Sequence, residues 1–197
     1  MMAPIHERWN EHPCSQLRRL LLNAPSCPSP FGLTDDGLCD FRGIRIEDSL
    51  HNLTIERVDF SNAELGHGQF MGTVQACKFV EFSCDGNLGE RFSDCDFRKA
   101  RLSNSVVYGQ FVSCDFSNAN LTGVRGRNIR FEDCSFEGAN LRKASFYDSM
   151  FVRCKIRNSK FGSGSLAGSK FEDCEIEGAD FSKTVMQRVV GIEKQNI

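Results

Sequence analysis

Phe131–Leu141 reads FEDCSFEGANL and Phe171–Phe181 reads FEDCEIEGADF, nearly the same eleven residues written twice at a distance of 40. Self-similarity at a fixed distance is the signature of a repeat architecture, so the period decides the fold. Working outward, Cys114, Cys134, Cys154 and Cys174 recur every 20 residues, and Cys95, Cys77, Val58 and Cys39 continue the column upstream at spacings of 19, 18, 19 and 19. Inside each 20 lies a period of five: Phe116, Leu121, Gly126, Phe131, Phe136, Leu141, Phe146, Phe151, Ile156, Phe161, Leu166, Phe171, Ile176 and Phe181. Gly126 alone is out of character. Two residues before each of these stands a small or modest side chain, among them Cys114, Ala119, Cys134, Ala139, Cys154 and Ser169, and the other three positions are mostly polar.

A period of five matches neither the helical 3.6 nor the strand period of 2. It fits a chain that turns a corner every five residues, with one large and one small residue inward and three outward. Four corners close a square coil of 20 residues, which explains the cysteine column and the distance of 40. Stacked coils pair their backbones at roughly 4.7–4.9 Å, so seven to eight of them make a rod of roughly 35 Å. The expected fold is an all-β solenoid.

Composition agrees. There are 17 Phe against one Trp and two Tyr, and all five prolines (Pro4, Pro13, Pro25, Pro28, Pro30) precede residue 31. Proline would remove a ladder donor, and phenylalanine fills an axis with no polar atom to satisfy. A net charge of −2 argues against a dominant attraction to nucleic acid or membrane. No window approaches the roughly 20 apolar residues of a membrane span, and nothing near the N-terminus reads as a signal peptide. The expectation is a cytoplasmic protein whose ten cysteines are mostly reduced.

The units Ala119-Asn120-Leu121, Ala139-Asn140-Leu141 and Ala179-Asp180-Phe181 resemble those of the pentapeptide-repeat family, over about residues 38–184. The resemblance implies a right-handed quadrilateral parallel β-helix. Register slips near Leu50–His51, Gly72–Val74, Phe82–Leu88 and Phe111–Val112 make the early coils less regular. A solenoid needs caps at both ends. Residues 1–37 are read as an N-terminal cap and Pro-rich connector, with Ser15 as N-cap of a short helix presenting Leu17, Leu20 and Leu21. Residues 185–197 are read as a C-terminal cap or tail, the pattern breaking from Thr184 on and offering Met186, Val189, Val190 and Ile192, either as a cap helix or as a dimer contact. End-to-end dimers are common in the family, so the resemblance implies a possible homodimer through this end.

Little in the chain points to chemistry. The cysteine column is linear, whereas zinc needs four converging ligands, and neighbouring thiols, though close enough to bridge, are expected to stay unpaired. The four histidines, His6, His12, His51 and His67, have no nucleophile at a matching inward position. No enzyme activity, cofactor or metal is expected. Function is therefore sought on the outer surface.

The register sorts outward charges onto faces. On the cysteine face and the corner leading into it stand thirteen acids, including Asp40, Asp59, Asp94, Asp96, Asp115, Asp133, Asp173 and Glu175, against seven bases, a balance of about −6; the rest of the repeat region nets about +4. Arg125, Arg127 and Arg130 surround Gly126 as a candidate basic patch, with Phe146 of the next coil placed to lean over the missing side chain. Three functional readings stay open. The first is a rigid, non-catalytic scaffold docking a protein partner through charged outer faces. The second follows from the resemblance: members that protect type II topoisomerases such as gyrase from quinolones are described as mimics of duplex DNA. Against it, duplex DNA would carry about 20 charges over such a length, and the chain has no long loop insertion of the kind some of those members carry. The third, also from the resemblance, is a secreted effector of a pathogen or symbiont. None of the three requires direct nucleic-acid or membrane binding.

Overall fold

The computed structural model describes residues 5–10, 21, 27 and 29–192. The chain winds as a parallel solenoid of about seven turns. Its first face can be followed from Cys39 paired with Val58 and Asp40 with Asp59, through Lys78, Asp96, Asp115, Ser135 and Lys155 to Glu175. The fourth face runs Arg91–Gln110–Arg130–Met150–Lys170 in the same way. Most strands are two or three residues long, as a corner every five residues requires. Backbone bonds run from coil to coil, as from the Phe116 N–H to the Ser135 carbonyl (2.7 Å) and the Phe136 N–H to the Lys155 carbonyl (2.7 Å).

The inward residues stack as columns. Phe41, Phe60, Phe79, Phe97, Phe116 and Phe136 follow one another on the first face, the last two with ring centroids 5.1 Å apart and planes within 6°. Phe92, Phe111, Phe131, Phe151 and Phe171 do the same on the fourth, and the two columns meet edge to face, as at Phe131 and Phe136. Each such pair adds about 0.5–1.5 kcal/mol beyond area burial.

The early coils differ as the register slips foretell. Leu50–Glu56, Gln69–Gln75 and Asn87–Ser93 are seven-residue strands that carry the chain through the third and fourth faces, with a register shift between Leu50 and Leu53. At the far end the ladder passes Thr184: Val185 pairs with Ser165 and Val190 with Lys170, so the coil extends beyond the boundary read from sequence. Met186, Val189 and Ile192 pack against the core. Cys174 and Ile176, expected inside, are only half-buried, because no further full coil lies over the last one among the described residues.

At the N-terminal end a 3-10 turn, Ile5–Trp9, closes the rod. Trp9 stacks on Phe41 at 5.6 Å, meets Phe31 edge-on at 4.9 Å and donates its indole N–H to the Arg42 carbonyl (2.8 Å). It extends the first phenylalanine column by one ring. Leu21 is buried, while Ser15, Leu17 and Leu20 of the expected cap helix lie outside the described residues. Cys27 and Cys39 form a disulfide, so the first member of the cysteine column is not the free thiol expected of it; it ties the connector to the first coil.

Candidate functional site: the outer faces of the rod

The cysteine column is interior architecture. Cys77, Cys95, Cys114, Cys134 and Cys154 are buried and free. The thiols of Cys114, Cys134, Cys154 and Cys174 lie 3.3–3.6 Å from the carbonyls of Phe92, Phe111, Phe131 and Phe151, one coil back. A cysteine is thus a small side chain that also brings a weak donor to a buried backbone acceptor. Burial pushes the Cys77 thiol up and that of Cys84 up to about 12. An activated nucleophile needs the opposite shift. His67 is 93 % exposed and faces Asp85 at 3.5 Å, and Asp85 lines an open groove of about 490 Å³ together with Arg45, Glu64, Cys84 and Arg101. The buried thiol and the solvated imidazole form no nucleophile–base pair. Among the described residues no group of three or more His, Cys, Asp or Glu is placed to hold a metal ion.

The candidate acidic face divides into three. Asp40 and Asp59 are buried and cannot meet a partner. Asp40 accepts from Arg8 (2.7 Å) and Arg42 (2.8 Å): burial alone would raise its carboxyl, but the hydrogen bonds from Arg42 and Arg8 hold it below the ordinary value. Asp59 accepts the Ser61 N–H at 2.8 Å. A second group is exposed or part-exposed but paired. Asp96 is held by Arg98 at 2.6 Å, Asp115 lies 3.9 Å from the same guanidinium, Asp133 meets Arg153 at 2.7 Å, and Glu175 meets Arg157 at 3.0 Å. Hydrogen bonds from Arg130 and Arg153 lower the Glu132 carboxyl, and one from Arg153 lowers that of Asp133. Of the eight candidate acids, Asp94 and Asp173 are exposed and have no ion pair among the described residues. Both stand at the corner before a cysteine, with φ of 53°, a left-handed conformation that Asp tolerates better than most residues.

The basic patch also divides. Arg125 and Arg127 lie on the third face, whereas Arg130 is round the corner on the fourth, between Gln110 and Met150. Arg127 is paired with Asp148 (2.9 Å) and Arg130 with Glu132 (2.8 Å). The space at Gly126 is filled by Ile129 rather than Phe146: a Cβ on Gly126 would collide with Ile129 Cδ1.

A square coil of five-residue sides with stacked inward columns defines a class, the pentapeptide-repeat β-helices. Residues 108–181 match the family model for the pentapeptide repeat region, so this part of the chain is built of pentapeptide repeats. It is 29% identical over 106 residues to the quinolone resistance pentapeptide repeat protein QnrB96 of Scandinavium goeteborgense, a match covering 54% of this chain and 41% of that one, less than half of the relative's length. Among solved structures, HetL, a pentapeptide-repeat protein involved in heterocyst differentiation regulation from Nostoc sp. strain PCC 7120, aligns at 14% identity over 78% of this chain and 90% of its own, with a TM-score of 0.30. Full-length QnrB1, a plasmid-mediated fluoroquinolone resistance protein, aligns at 16% identity over 79% and 92%, with a TM-score of 0.25.

Proposed function

We propose that this protein is a non-catalytic binding rod whose outer surface docks a protein partner. The observation that carries the reading is the interior: from Phe41 to Phe171 the axis is filled by stacked rings, and Cys77, Cys84, Cys95, Cys114, Cys134 and Cys154 are buried with them. All polar chemistry is left to flat outer faces, which is the surface a repeat scaffold offers to another macromolecule. The test is affinity capture from the native cell with the full chain as bait. A stoichiometric protein partner supports the reading, and turnover of a small molecule by the purified protein would overturn it.

A second reading names the partner as a type II topoisomerase, favoured by the match to the quinolone-resistance relative. The electrostatics oppose simple imitation of DNA, because Asp96, Asp133 and Glu175 are tied to arginines and Asp40 and Asp59 are buried. The purified protein titrated into a gyrase supercoiling reaction, with and without a fluoroquinolone, decides it. Inhibition, or relief of drug poisoning, supports the topoisomerase reading. No effect at tens of micromolar, far above a typical specific affinity, removes it.

A further inference from the structure

The chain holds 17 Phe and only two Tyr, and both tyrosines stand on the same outer column. Tyr147 lies directly across from Arg127 in the next coil. Tyr108 follows Val107, which is paired with Gly126, and so occupies the same column one coil earlier. The three side chains, Tyr108, Arg127 and Tyr147, therefore follow one another up the third face. Behind Tyr108 the column continues at Gly89, where a Cβ would come within 2.8 Å of the Tyr108 Cβ, and at Met71, which pairs with Gly89.

No role in the fold explains these rings. Tyr108 and Tyr147 are 42% and 43% exposed, whereas phenylalanine fills the core. The face around them is also unlike the other three. Its outward positions carry no lysine and only two acids, Glu90 and Asp148. The cysteine face is laced with ion pairs at Asp96–Arg98 and Glu175–Arg157, which a partner would have to desolvate. On the third face Asp148 is already taken by Arg127 at 2.9 Å, which leaves the exposed Arg125 without an ion pair among the described residues. Enrichment in Tyr, Arg and Met with depletion of Lys, Glu and Asp is the composition of the core of a protein–protein interface, and tyrosine supplies contact area at the cost of ordering only two side-chain torsions.

Resting on the binding-rod reading and deepening it, we infer that the third face, centred on Tyr108, Arg127 and Tyr147, is the docking surface, and that its occupant is a protein segment bearing carboxylates beside apolar side chains. The aromatic rings take the apolar part. Arg125 takes the carboxylate, the complementary charge this face lacks.

The test needs no identified partner. A random dodecapeptide display library is selected against the folded full-length protein, and the recovered peptides are measured in solution against three variants whose melting is first shown to match wild type: Tyr108→Ala with Tyr147→Ala, Arg125→Glu, and, as control on the cysteine face, Asp94→Asn with Asp173→Asn. The expected peptides are rich in Asp or Glu and aromatic residues. They lose at least tenfold in affinity on either third-face change and less than twofold on the control. Peptides that bind the third-face variants as well as wild type, or that respond only to the control pair, overturn this assignment and leave the binding-rod reading standing. Failure to select any peptide also overturns it, while capture of the native partner decides the broader reading separately.

Discussion

Gly126 leaves a large inward site empty, and Ile129, which by register should be small, reaches into it. The same exchange occurs earlier, where Phe82 occupies a small site and Cys84 the large site two residues on, both buried. What each coil conserves is volume, not the size of each residue in turn, as close packing requires. The period identifies which residues face inward, and it singles out Gly126. It does not show that two residues on opposite sides of a corner share one niche, so Phe146 is the filler it suggests. The coupling is measurable in denaturant melts. Gly126→Leu alone collides with Ile129, and Ile129→Ala alone opens a cavity costing about 2–5 kcal/mol. Together they restore the regular large and small pattern, so the double variant is expected to recover at least half of the summed loss. Simple additivity would show that the two side chains do not share the space.

The corners and the N-terminal turn are the elements in which sequence is least explicit. At the corner before Val58 and before each later cysteine of the column the chain places Arg57, Ala76, Asp94, Ser113, Asp133, Arg153 and Asp173, all at φ between 50° and 57°. Only some of these residue types advertise a left-handed backbone, and the ladder on either side imposes it on the rest. The acids at these corners thus have a conformational reason to be there, independent of any partner. The cap was legible as a need, not as residues: a single Trp nine positions into the chain gives no signal that it will stack on Phe41. Its attachment has a pH dependence. Asp40 has a folded pKa below its ordinary value of 3.8, so its contribution is present above that value and is lost as pH falls through the depressed folded one. Trp9 is the chain's one tryptophan, so its fluorescence reports the cap alone. It is expected to move toward a solvent-exposed spectrum below about pH 4, and Asp40→Asn is expected to produce that shift at neutral pH. An unchanged indole spectrum in the variant would mean the ion pair does not hold the turn.

At the scale of the whole molecule, the sequence counts outward charges by face, and the columns behind that count are those of the structure. What a count misses is which charges neutralise one another, because the pairing partner is often a whole coil away: Arg153 reaches Glu132 and Asp133, and Arg127 reaches Asp148. Pairing dims the acidic side and leaves the aromatic third face as the more distinctive surface, although nothing in the one-dimensional charge pattern draws attention to it. Every functional statement about this rod assumes that its inside is closed. Thiol protection tests that assumption most directly, because free cysteines mark the interior from end to end. The folded protein is treated with a charged maleimide and the sites are read by mass spectrometry. Cys77, Cys84, Cys95, Cys114, Cys134 and Cys154 are expected to stay unmodified while the half-buried Cys174 reacts. Modification of the buried six at rates approaching those of the unfolded chain would contradict a sealed core, and with it the placing of all function on the outer faces.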